Sequence, residues 1–182
     1  HTVVLFFVLR RPPRSTLSPS RPLFRSVPPF AAHLDAEIDV PHLGKVRVDV
    51  GWGGMFYVIA DVRQFKGLQL IPEHGGEIAR VSSMIRQAAI EQLPVAHPDY
   101  PGIGITISQL SGPSDDPNAE WKNAVTMASG AFAWDDPATW SGASESCPCG
   151  TGTSAKMATL HAKGERPLER DVSQLGLTSR ER

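Results

Sequence analysis

Cysteine is nearly absent from this chain: two of 182 residues, Cys147 and Cys149, two positions apart. So few thiols exclude a disulfide framework. A pair this close does not bridge comfortably, which points to a reducing, cytosolic setting. No apolar run approaches the roughly 18 residues of a spanning helix, so no membrane segment is expected. The net charge is −1, which gives no overall basic field for nucleic acid or a membrane surface. A four-ligand zinc site is also unsupported, because no second cysteine pair and no paired histidine spacing accompany Cys147 and Cys149.

Acidic residues are missing altogether from the first 26 positions, which carry five arginines (Arg10, Arg11, Arg14, Arg21, Arg25). The rest of the chain holds 13 bases against 19 acids. In a secretory signal the positive charge precedes the apolar core, whereas here the arginines follow "VVLFFVL". "RRPPRSTLSPSRPLFRS" resembles a peptide translated from sequencing-adaptor DNA. Residues 1–26 are therefore expected to be a disordered or artefactual segment, and 27–182 the folded part.

From Ala36 the pattern becomes regular. "AEIDVPHLGKVRVDV" alternates apolar and polar residues around Pro41–Gly44, as a β-hairpin does. "GWGG" reads as a flexible break and "MFYVIAD" as a buried strand. Ile78, Val81, Ile85, Ala88 and Ala89 recur at helical spacing, which predicts a helix from about Gly76 to Gln92. "LPVAHPDYPG" reads as a loop, "GITISQL" as a strand, "SGPSDDPNAE" as a loop and "NAVTMAS" as a strand. "WDDPATWSGASE" reads as a connecting loop. A second helix is expected over Ser154–Lys163, with Met157, Leu160 and His161 inward. This order predicts a mixed α/β or α+β domain.

Cys149 stands directly before that second helix. A helix N-terminus offers unpaired N–H groups and partial positive charge, which favours a thiolate and can hold a carboxylate. Gly150 and Gly152 would let the backbone approach a ligand. One short stretch can thus supply a reactive sulfur and an anion cradle, a combination suited to proton abstraction beside a bound carboxylate. A small buried cysteine is the plainer alternative, and residue chemistry leaves both open. A nucleotide-binding reading of "GTGTSAK" lacks the G-x-x-x-x-G-K-[ST] spacing. His74 and His97 sit in Pro/Gly-rich loops and are read as solvated or turn-capping. Trp134 and Trp140 are read as packing residues, and Asp115–Asp116 and Asp135–Asp136, before prolines, as turns.

"CPCGTGTSAKMATLHAKG" resembles the second active-site motif of the proline racemase family, which includes 4-hydroxyproline 2-epimerases and trans-3-hydroxyproline dehydratases. "VDVGWGGMFYVIAD", "HPDYPGIGITISQLSGP" and "KNAVTMASGAF" resemble further segments in order and spacing. The resemblance implies a diaminopimelate-epimerase-like fold, two similar halves each with a β-sheet wrapped around a central helix. It implies no metal or organic cofactor, a proline or hydroxyproline substrate, and a homodimer. It implies two cysteine thiols acting on opposite faces of the substrate Cα.

By that resemblance Cys149 is the second catalytic cysteine. Gly150 and Thr151 would bind the substrate carboxylate through their backbone, and Glu145 would stand near the substrate nitrogen. The family pattern Asp-Arg-Ser-Pro-Cys reads Glu-Ser-Cys-Pro-Cys here, so the carboxylate is one methylene longer and Cys147 falls at a serine position, where it is read as structural. Dehydratases often carry threonine at the Cys149 position, so cysteine favours racemase or epimerase. The family's first catalytic cysteine lies in an upstream Cys-Gly-His motif, and this chain has no cysteine before Cys147. The expectation is an incomplete enzyme, lacking one half-site and the closing strands, that does not racemise efficiently. An inactive fragment and a dehydratase-like member are the alternatives.

Overall fold

A computed structural model describes residues 28–145, 149–165 and 174–177. The readings for residues 1–26, Ser146, Cys147 and Pro148 lie outside these described residues. The hairpin forms as expected, with β1 (Phe30–Val40) antiparallel to β2 (Gly44–Trp52). Its turn closes through Leu43 N–H to the Val40 carbonyl at 3.0 Å, with His42 and Gly44 at φ 70° and 80°. β3 (Phe56–Asp61) pairs antiparallel with β2. A right-sized crossover through α1 (Gly75–Gln92) then delivers β4 (Ile105–Pro113) parallel to β3. β5 (Trp121–Ala128) and the short β6 (Gly142–Ser144) complete an antiparallel edge, and β7 (Gln174–Leu175) pairs parallel with β5. The second helix is α2 (Gly150–Ala162).

Strand alternation sorts the two cores. Phe56, Val58 and Ala60 face one way and join Ile78, Val81, Met84 and Ile85 of α1 in the larger core. Tyr57 and Ile59 face the other way and join Ile107, Val125, Cys149 and Ala155. Each fully buried Ile or Val removes enough apolar surface from water to contribute about 1.5–3 kcal/mol. The α1 positions marked by the helical pattern, Ile78, Val81, Ile85, Ala88 and Ala89, are all buried. Glu77 in the first turn complements the helix dipole.

Four sequence expectations need correction. α2 starts at Gly150, four residues before Ser154, so "GTGT" is helix rather than turn. Its buried face is Gly152, Ala155, Lys156, Ala158, Thr159 and Leu160, while Met157 and His161 are only half-buried. "WDDPATWSGASE" contains a 3-10 turn (Pro137–Thr139) and β6 rather than loop alone.

The fourth is "GWGG", which also accounts for the early start of α2. β2 runs through to Trp52, so this is no flexible break. An added Cβ on Gly51 would stand 2.7 Å from the Ala155 carbonyl oxygen, and one on Gly53 would stand 2.1 Å from that of Thr151. The absence of side chains lets the backbone of α2 rest directly on the end of β2, and this contact outweighs the weak helix propensity of "GTGT".

Candidate functional site

Cys149 is the N-cap of α2, with φ 56° and ψ 100°. A non-glycine residue in this region carries backbone strain of order 1–3 kcal/mol, so its surroundings must hold it. Thr153 does so twice, donating its N–H (2.9 Å) and its Oγ1–H (2.8 Å) to the Cys149 carbonyl. The residue is 7 % exposed and unbridged. Its Sγ lies against Tyr57 Oη at 3.3 Å and Thr151 Oγ1 at 3.7 Å, within the smaller core.

Tyr57 is the residue that sequence reasoning missed. Inside "MFYVIAD" it reads as one more core aromatic. Its ring is buried in β3, and its hydroxyl also meets Thr151 Oγ1 at 2.6 Å. Burial and the contact with Cys149 push the phenol well above its ordinary value, against the smaller opposing effect of Thr151. Tyr57 therefore keeps its proton and remains an O–H donor.

Gly150 and Thr151 are exposed at the mouth of the helix. Thr153 N–H bonds back to Cys149, so helix geometry leaves the N–H groups of Gly150, Thr151 and Gly152 without an intrahelical acceptor. Gly150 has open space where a Cβ would stand. Gly152 is different. A Cβ there would stand 2.6 Å from Gln109 Oε1, 3.2 Å from Tyr57 Cε1 and 3.4 Å from Cys149 Sγ, so its bareness serves internal packing rather than ligand approach. Glu145 follows β6, tied by its N–H to the Val125 carbonyl at 2.9 Å, and its charge is felt at Tyr57. The geometry thus gathers Cys149, Thr151 and Tyr57 tightly, with Gly150 at the rim and Glu145 close enough to act through space.

Gln109 of β4 adds a polar group beside them. It is fully buried, and neither Nε2 nor Oε1 has a hydrogen-bond partner among the described residues.

A cleft of about 620 Å³ opens further along α2 and touches none of Cys149, Gly150, Thr151 or Glu145. Its charged lining includes Asp35, Asp49, Asp61, Arg63, Lys156 and Lys163. Lys156 is 5 % exposed, donates to Ser111 Oγ and lies 3.7 Å from the Trp121 ring centroid. Burial drives its ammonium down to about 7, against the pull of Asp61 and Asp49. Lys163 bridges Asp49 (2.8 Å) and Asp35 (2.9 Å), tying the end of α2 to β1 and β2. Burial lowers its value, but the two carboxylates outweigh that and the net shift is upward.

The residues read as packing or turns behave so. His97 Nδ1 accepts the N–H groups of Asp99 (3.0 Å) and Tyr100 (3.2 Å), with its ring 4.4 Å from that of Trp52. His74 Nδ1 accepts Gln69 N–H. Trp140 is buried and Trp134 half-buried. Asp116 and Asp136 cap the turns that follow them. Among the described residues, no group of three or more His, Cys, Asp or Glu side chains is arranged to hold a metal, and no helix is long and apolar enough to cross a membrane.

The model of the proline racemase family matches residues 18–178. The chain belongs to that family. A 4-hydroxyproline 2-epimerase of Allorhizobium ampelinum is 33% identical over 138 residues, covering 76% of this chain and 36% of the relative. A proline racemase of Clostridioides difficile is 33% identical over 143 residues, covering 78% and 39%. The chain thus spans well under half the length of these relatives. A solved hydroxyproline epimerase of Agrobacterium vitis, with bound trans-4-hydroxy-L-proline, superposes with a TM-score of 0.69 at 31% identity, covering 84% of this chain and 40% of that one. The family's diaminopimelate-epimerase-like fold is therefore the fold of this chain too.

Proposed function

We propose that this chain carries the Cys149 half-site of a cofactor-independent racemase or epimerase acting at the Cα of proline or hydroxyproline. The observation that carries this reading is the placement of Cys149 at the N-cap of α2, with its sulfur on Tyr57 Oη and the free amides of Gly150 and Thr151 alongside.

In this reading the substrate carboxylate accepts the N–H groups of Gly150 and Thr151, and Glu145 faces the imino nitrogen. The Cys149 thiolate takes the Cα proton, so the C–H bond breaks and an S–H bond forms. The electron pair stays on Cα and is delocalised into the carboxylate, where the helix amides favour the growing charge. Inversion requires a proton from a second thiol on the opposite face, because Cys149 by itself returns a proton to the face it took it from.

Alkylation of Cys149 by iodoacetamide in a Cys147→Ser background tests the reading. Pyrrole-2-carboxylate, a flat mimic of planar proline, should slow the reaction in proportion to its occupancy. An alkylation rate that ignores saturating pyrrole-2-carboxylate overturns the proposal and favours a chain without a ligand site.

A further inference from the structure

Three atoms at the start of α2 form a closed set of polar contacts. Tyr57 Oη lies 2.6 Å from Thr151 Oγ1 and 3.3 Å from Cys149 Sγ, while the direct contact between Thr151 and the sulfur is longer, at 3.7 Å. Two hydroxyl protons must be shared among these atoms. A thiolate can only accept. The arrangement that uses both protons over the shorter contacts runs one way: Thr151 Oγ1–H donates to Tyr57 Oη, and Tyr57 Oη–H donates to Cys149 Sγ.

We propose that Thr151 and Tyr57 form a hydroxyl chain ending on Cys149, and that Tyr57 is a positioning residue that donates its O–H to this sulfur when it reacts as a thiolate. The proposal rests on the reading of Cys149 as the reacting thiol and adds to it the donor that orients the sulfur.

A thiolate has no proton to donate, so its polar contacts must come from neighbouring donors. The strained backbone of Cys149 and the fixed β3 position of Tyr57 hold the two side chains together. Hydrogen bonds to a charged acceptor are roughly twice as strong as neutral ones, so the chain gains most in the ionised state. Tyr57 keeps its own proton, as a donor must. The groups that face the pair from the packed elements are few among the described residues. Glu145 beyond β6 is acidic and helps keep the proton on Tyr57, while Gln109 of β4 and Val125 of β5 are uncharged. Gln109 places a second buried polar side chain beside Gly152, with both amide atoms unpartnered among the described residues. This corner of the smaller core is therefore built for polar chemistry rather than only for packing.

The test measures the iodoacetamide rate of Cys149 from pH 5 to 10 in the full chain carrying Cys147→Ser. Tyr57→Phe keeps the ring and removes the O–H. It should slow alkylation about 10-fold near neutral pH and move the profile upward by about one pH unit. Thr151→Val should shift it the same way by less, and Thr151→Ser should restore it. A Tyr57→Phe profile that superimposes on the parent's overturns the hydroxyl chain. If Tyr57→Phe does not fold, the exposed Thr151 decides: an upward shift in Thr151→Val supports the chain, and no shift overturns it. Protection by pyrrole-2-carboxylate is scored separately. Its loss in the parent overturns the half-site reading, while an unshifted profile with protection intact overturns only the hydroxyl chain.

Discussion

Gly53 meets Thr151 backbone to backbone: a Cβ on Gly53 would stand 2.1 Å from the Thr151 carbonyl oxygen and 2.6 Å from Ala155 N. Neither neighbour is the end of a flexible side chain, so the helix itself would have to move. Gly53→Ala should therefore push the first turn of α2 off β2 and carry Cys149 with it. Overpacking of this kind costs about 1–3 kcal/mol. Urea denaturation should show that loss, and the iodoacetamide rate of Cys149 should change with it. A variant of parental stability and parental thiol reactivity would show that α2 is not seated on Gly53.

The seat also shows how much of the molecule could be read in advance. The hairpin was legible because Ile38, Val40, Val46, Val48 and Val50 alternate with polar residues and only one of their faces is buried. α1 was legible because Ile78, Val81, Ile85, Ala88 and Ala89 mark a helical stripe without competition. The start of α2 was not legible. Gly and Thr are weak helix formers, and the contact that overrides them comes from Gly51 and Gly53, about a hundred positions away. Cys149 was identified by its place before a helix, but Tyr57 was hidden. A strand lists its side chains by alternation, and nothing in "MFYVIAD" says that the tyrosine hydroxyl, rather than its ring, is the useful end.

Lys156 gives a prediction in pH. Burial holds its folded value at about 7, below the ordinary 10.5 of an exposed lysine. Below about pH 7 both states are protonated and the full cost of burying the charge falls on the fold. Above that point the unfolded chain still binds a proton that the native chain does not, so stability rises with pH. The slope is at most about 1.4 kcal/mol per pH unit, and the Trp121 ring face, which favours the ammonium, works against it. Urea midpoints at pH 6, 7.5 and 9 should climb for the parent and climb less for Lys156→Met. Parallel curves for the two proteins would show that Lys156 does not titrate in this range.

Lys163 works in the opposite sense. Its value is raised because Asp49 and Asp35 outweigh burial, so its stabilisation is complete below the unfolded value of 10.5 and fades only as pH rises through the higher folded one. Near neutral pH, Lys163→Ala should loosen the end of α2 from β1 and β2. Asp49, little exposed, loses its ammonium while Asp35 is largely in water. The expected loss is about 1 kcal/mol, reduced by high salt. Melting in low and high salt checks this: a salt-insensitive difference would assign the loss to the packing of the lysine stem instead.

Gly152 and Gln109 form the most sharply coupled pair. A Cβ at position 152 would stand 2.6 Å from Gln109 Oε1, and that amide is fully buried, so it has little room to turn aside. Gly152→Ala alone should cost about 1–3 kcal/mol. Gln109→Ala alone leaves a cavity but also removes two buried polar atoms that have no partner among the described residues, which offsets part of the loss. In the double variant the new methyl enters the space that the amide left, so the combined loss should be smaller than the sum of the two single losses. Urea denaturation of all four proteins gives the coupling directly. Strict additivity would mean that the strain falls on Tyr57 Cε1 and Cys149 Sγ, the next atoms at 3.2 and 3.4 Å, and the thiol reactivity of Gly152→Ala would then change even without Gln109.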